Sequence, residues 1–180
     1  MKIILFGSIA AGKTKIAKQL LDIYKDFQYI AIDDFRKQFG DYTKEGEKIA
    51  SENFINSIIP GKDQIIEASG LGKPGRDIHD KLAESDENIL IIILRIPVEL
   101  TNKRIKNKVW DTPFPGKQEK LEMIIQSINL GLEFGEIPMW WSVNPRHTIF
   151  QIENPDRKSE LFIIELIVKF LNSFYQVVRD

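Results

Sequence analysis

Two short clusters near the start of the chain have the residue types needed to handle phosphate. Gly7-Ser8-Ile9-Ala10-Ala11-Gly12-Lys13-Thr14 fits the pattern G-x-x-x-x-G-K-[ST] at every fixed position. Glycine-permissive turns let successive backbone N–H groups point inward around an anion without Cβ obstruction. In such a loop Lys13 would reach the β- and γ-phosphates of a nucleoside triphosphate, and the Thr14 hydroxyl would ligate magnesium. Asp33-Asp34-Phe35-Arg36 follows about twenty residues later. Phosphoryl transfer to a hydroxyl needs a carboxylate to orient and deprotonate that hydroxyl, and a cation to hold its carrier. Asp33 is the candidate base, Arg36 the candidate substrate clamp, and Asp34 a cap for the short helix that begins there. In an arbitrary protein an Asp-Asp pair is a solvated turn; its distance from the phosphate loop argues for a functional reading.

These clusters need a scaffold that brings them to one place. Ile3 to Phe6 is a short apolar run ending in glycine, the pattern of a strand buried on both faces. Ile16, Ala17, Leu20, Ile23 and Tyr24 then recur at helical spacing, so strand passes through the glycine loop straight into helix. Tyr29 to Ile32 reads as a second strand closed by Asp33. Thr43 caps a helix that runs until Pro60-Gly61, and Gln64 to Glu67 is a third strand. Ser69 to Gly75 reads as an irregular loop. Asn88 to Leu94 is an aliphatic strand, residues 97–108 a helix, 121–132 another, Thr148 to Ile152 a fifth strand, and 161–174 a long final helix. Alternation of this kind predicts an α/β fold: a three-layer, mostly parallel five-stranded sheet in a single domain over 1–180, with ligands beyond the carboxyl ends of the strands. Gly7, Asp33 and Glu67 all fall at such ends.

From these residues the opening of the chain resembles the P-loop kinases of the nucleoside monophosphate, shikimate and polynucleotide kinase group. The glycine loop followed by Asp-Asp-Phe-Arg is nearest to the phage polynucleotide kinase domain, where the first aspartate is the base for the attacking hydroxyl and the arginine contacts the substrate. The close match spans roughly the first forty residues. The resemblance implies ATP and Mg²⁺ as cofactors and a hydroxyl-bearing acceptor, with a short nucleic-acid end as one candidate. It also implies a magnesium role for Glu67, where the group often has aspartate. Arg104 corresponds to an arginine of the helix entering the lid, which would neutralise the transferred phosphoryl group; Lys108 stands at a second arginine position, and residues 109–118 form a short lid. Arg146, just before the last strand, would lie near the adenine. Arg76 is either a substrate contact or a solvent-facing charge. An ATPase or nucleotide-gated switch without a separate acceptor is the rival reading.

The bulk composition narrows the rest. With 180 residues, 43% hydrophobic and 28% charged, the chain has the make-up of a globular domain. Lys+Arg 25 against Asp+Glu 26 leaves a net charge of -1, which gives no electrostatic case for binding long nucleic acid. The absence of cysteine excludes disulfides, thiolate metal sites and a cysteine nucleophile. No run is long and apolar enough for a signal peptide or a membrane span, so a cytoplasmic location is expected. Trp140 and Trp141 read as core, and His79 and His147 as ordinary surface or loop residues without metal-ligand spacing.

Overall fold

The computed structural model describes residues 1–83, 85–106, 112–113, 118–133, 135–153 and 157–177. The expected lid therefore lies largely outside the described residues, as does Lys108.

The elements follow in the order β1 (Lys2–Gly7), α1 (Lys13–Ile23), β2 (Gln28–Ala31), α2 (Ile32–Phe39), α3 (Lys44–Ser57), β3 (Gln64–Glu67), α4 (Gly72–Leu82) and β4 (Ile89–Arg95). They continue as α5 (Val98–Lys106), α6 (Gln118–Glu133), α7 (Glu136–Trp141), β5 (His147–Glu153) and α8 (Arg157–Val177). The five strands form one sheet in the order β2-β3-β1-β4-β5. Every pairing is parallel, so the sheet is more regular than the mostly parallel one expected.

Alternate residues of β1 explain the layers. Ile3 and Leu5 pack with Ile16, Leu20, Ile163, Ile167 and Leu171, which puts α1 and α8 on one face. Ile4 and Phe6 pack with Phe54, Ile78, Ile128 and Trp141, which puts α3, α4, α6 and α7 on the other. All of β1 is buried, as a strand covered on both faces must be. Each such isoleucine or leucine contributes about 1.5–3 kcal/mol of burial energy. Trp141 is fully buried, in line with its reading as core.

Three local expectations change. Ile32 is the first residue of α2 rather than the last of a strand, and the N-cap is Ala31. Asp34 therefore does not cap this helix; it sits exposed in the first turn, where its charge complements the helix dipole. The glycine-rich stretch after Ser69 is also not all loop, because α4 begins at Gly72. Pro74 is accommodated in the first turn, where an N–H has no intrahelical partner. A Cβ on Gly75 would lie 2.0 Å from the Gly70 carbonyl oxygen, so glycine is required for this tight entry. By contrast Thr43 caps α3 as expected, its hydroxyl accepting from the Gly46 N–H at 3.0 Å.

Candidate active site

Because all strands run the same way, the residues that follow them gather at one edge of the sheet. A cleft of ≈ 580 Å³ opens there, between the loop after β1, the start of α2, the end of β3 and the apolar face of α6. Gly7, Ile9, Ala10, Ala11, Gly12, Lys13 and Thr14 of the loop line it, and so do Asp33, Arg36 and Glu67. The sequence clusters separated by about twenty residues thus share one cavity.

The loop is built to present backbone. Gly12 serves as N-cap of α1 at φ 94°, a left-handed conformation natural to glycine, and no side chain caps the helix. The first turn of α1 therefore brings positive dipole and backbone donors to the cleft wall, the arrangement that binds anions. Lys13 is only 9% exposed, and its ammonium donates to the carbonyls of Gly7 at 3.0 Å and Ser8 at 2.9 Å. Ser8, fully buried, also accepts from Asn129 of α6 at 3.4 Å, tying the loop to that helix.

Opposite Lys13, a polar cluster converges on Glu67. The Thr14 hydroxyl donates to one carboxylate oxygen at 2.9 Å, and the Tyr29 hydroxyl donates to the other. Burial, together with the Glu67 charge, pushes the Tyr29 phenol far above its ordinary range, so it remains a proton donor. Sheet pairing makes the contact: β2 and β3 run in register, with Tyr29 opposite Ile65 and Ala31 opposite Glu67. With its proton directed at Glu67, Thr14 keeps oxygen lone pairs for a metal. Among the described residues no group of three His, Asp or Glu side chains could hold a metal alone. A hydroxyl and a carboxylate beside an anion-binding loop do suit Mg²⁺, which typically takes one or two protein oxygens and completes its shell with phosphate and water.

Asp33 and Arg36 face the same cleft from α2. The Arg36 guanidinium makes a two-pronged contact with Glu47 of α3, from Nε at 2.9 Å and Nη2 at 2.5 Å, while Nη1 reaches Asp33 at 2.9 Å. Burial works against the Arg36 charge, but the Glu47 hydrogen bonds and charge outweigh it and hold the guanidinium firmly protonated. Asp33 remains about half exposed toward the cleft.

The remaining candidates separate. Arg104 of α5 does reach the loop, donating to the Ala10 carbonyl at 2.8 Å. Arg76 does not line the cleft; it is exposed on α4, its guanidinium 5.5 Å from the centre of the Trp140 ring. Arg146 lies at the opposite edge of the sheet. It precedes β5 and is paired with Asp86, which precedes β4, at 2.9 Å. In a parallel sheet a residue before a strand is separated from the ligand edge by the full strand length, which overturns its assignment to the adenine. His147, expected as an ordinary loop residue, instead begins β5 half-buried and donates to the Trp141 carbonyl at 3.0 Å. Sequence reasoning missed Tyr29, Glu47 and Asn129, which reach the site only through packing between distant segments.

No sequence-family model matches the chain, and no curated protein matches it in sequence. Its fold does match solved structures. Shikimate kinase from Acinetobacter baumannii in complex with shikimate superposes at TM-score 0.63, with 18% identity over 96% of this chain and 93% of that one. Deoxyadenosine kinase from M. mycoides with bound dATP gives TM-score 0.55 and 18% identity over 96% and 99%. A gluconokinase from Sinorhizobium meliloti 1021 gives 0.58 and 10% over 97% and 96%. At such identities the similarity establishes the fold, a P-loop kinase α/β fold over nearly the whole chain.

Proposed function

We propose that this chain is a Mg-ATP-dependent phosphotransferase that moves the γ-phosphate of ATP to a hydroxyl of a second substrate. The observation that carries this is the common cleft: Lys13 and the glycine loop on one wall, Asp33 on the other. Structural likeness to kinases for shikimate, deoxyadenosine and gluconate supports the reaction class. The glycine loop and the start of α1 bind the phosphates through N–H groups and helix dipole. Lys13 turns from its loop carbonyls to the β- and γ-oxygens, and Arg104, already against the loop, adds charge where it develops on the transferred group. Thr14 and Glu67 would hold Mg²⁺, which when bound neutralises phosphate charge. Asp33 orients the acceptor hydroxyl and takes its proton as the new O–P bond forms and the bond from Pγ to the β-phosphate oxygen breaks, leaving ADP. Arg36, bridging Asp33 and Glu47, fixes the base in place.

Among the described residues no helix is long and apolar enough to cross a membrane. A cytoplasmic, single-domain enzyme fits this and the cysteine-free composition. The test is label transfer from γ-labelled ATP across a panel of hydroxyl compounds, with calorimetry of Mg-ATP binding alongside. Binding with transfer supports the reading. Binding with hydrolysis alone, stimulated by a partner protein, would replace it with a nucleotide switch.

A further inference from the structure

The acceptor half of the cleft has a charge pattern that the P-loop does not explain. Among the described residues two carboxylates, Asp33 and Glu47, line it beside one guanidinium, Arg36, whereas Lys13, Lys15 and Glu67 belong with the loop and α1 on the donor side. Arg36 is the described acceptor-side cation, and it is committed. Glu47 grips it bidentately and Asp33 takes a third position, with Arg36 only 15% exposed. A bidentate arginine–carboxylate pair is among the strongest polar contacts a protein makes, and breaking it leaves a partly buried charge behind. The other candidate substrate cation, Arg76, lies over the Trp140 ring and does not line the cleft.

An acceptor bearing phosphate or carboxylate would have to displace Glu47 from Arg36. Its anion would then sit beside Asp33 and the freed Glu47, which is 23% exposed and has little water to screen it. Ala31, Ile32, Leu71, Pro74, Ile124 and Ile128 supply apolar wall that suits the carbon face of a small ring, and Ser69, Thr112 and Ser127 add uncharged hydroxyls.

We infer that Glu47 determines acceptor specificity by occupying Arg36, so that the acceptor is a small alcohol without phosphate or carboxylate, neutral or cationic. This rests on the transferase reading above and narrows it: nucleotide ends and hydroxy acids are disfavoured, and neutral sugars, nucleosides and amino alcohols are favoured. Arg36 thereby becomes a positioning residue for Asp33 rather than a clamp on an anion.

The experiment measures kcat/KM for label transfer from γ-labelled ATP to matched acceptors. Nucleosides are set against nucleoside monophosphates and short oligonucleotides, glucose against gluconate, and glucosamine against glucuronate. Transfer to an uncharged or amino member at least about tenfold above its anionic partner is expected, since one lost or added charge contact moves discrimination by that much or more. Transfer confined to anionic members overturns the inference. Transfer to no member, with Mg-ATP binding intact, overturns the acceptor assignment while sparing the nucleotide site; loss of Mg-ATP binding sinks the transferase reading itself. In Glu47→Gln, checked for folding by circular dichroism and for retained Mg-ATP binding, the preference should shrink by about tenfold toward anionic acceptors. An unchanged ratio in that folded variant means Glu47 does not set specificity.

Discussion

At the amino edge of the sheet Lys2 is fully buried, and its ammonium donates to the Glu87 carboxylate at 2.8 Å and to the carbonyls of Ile59 and Lys62. At the carboxyl edge Lys13 is nearly as buried, yet it donates to the Gly7 and Ser8 carbonyls of its own loop. Two buried lysines on the same strand–loop unit thus have different environments. Lys2 meets an opposite charge brought from another segment, and the N-terminal ammonium joins it at the same Glu87 at 3.3 Å while pairing with Asp63 at 2.8 Å. Lys13 bonds two carbonyls of the loop that would hold the phosphates, where an incoming phosphate competes for the ammonium. A buried ammonium at the edge away from the cleft serves the fold; one that lines the cleft stands where a ligand would bind.

The sharpest way to test that contrast is to remove each ammonium. Lys13→Ala should lower phosphoryl transfer on the order of 10²–10³-fold with little effect on the unfolding midpoint, read by label transfer and urea denaturation. Lys2→Ala should do the reverse, costing about 3 kcal/mol of stability while the remaining folded protein keeps normal specific activity. Its effect should depend on pH. Burial would raise the Glu87 carboxyl, but the bonds from Lys2 and the Gly61 N–H override this and hold it below its ordinary value. A lowered folded pKa stabilises above the unfolded value of about 4.5 and is lost as pH falls through the folded one. The Lys2→Ala deficit should therefore narrow in acid.

A smaller effect is expected within the carboxyl edge. Tyr29→Phe removes the donor that orients Glu67, and should raise the Mg²⁺ concentration for half-maximal activity by about tenfold without unfolding the protein. Unchanged magnesium dependence would make the Tyr29 contact merely structural. The smallest concerns His147, whose ring burial holds its pKa below the ordinary value. Its neutral form is favoured on folding, so as pH drops below about 6.5 the unfolded chain takes up the proton first and stability falls. A slight lowering of Tm at mildly acidic pH, flattened in His147→Gln, is the expected reading.

The parts of this contrast that local sequence can express were legible. A glycine loop between an apolar run and a helical repeat predicts its own strand–loop–helix geometry, and that geometry then draws Asp33 to the same edge. Glu47 was not legible, because its meeting with Arg36 depends on how α2 crosses α3. In the sequence it looks like an ordinary first-turn acid placed for the helix dipole. Tyr29 was hidden for a similar reason: 38 residues separate it from Glu67, and only the β2–β3 pairing joins them. Arg146 is near β5 in sequence but precedes it, and in a parallel sheet that is the end away from the cleft. Asp34 has the residue type of a cap, but the helix caps three residues earlier, at Ala31.

Asp33 carries the proposed chemistry most directly. Paired measurements on Asp33→Asn, label transfer to the acceptor found in the matched panel and calorimetric titration with Mg-ATP, should show transfer reduced about 10²–10⁴-fold with nucleotide binding unchanged. Normal transfer by this variant would contradict the assignment of Asp33 as the base that receives the acceptor proton.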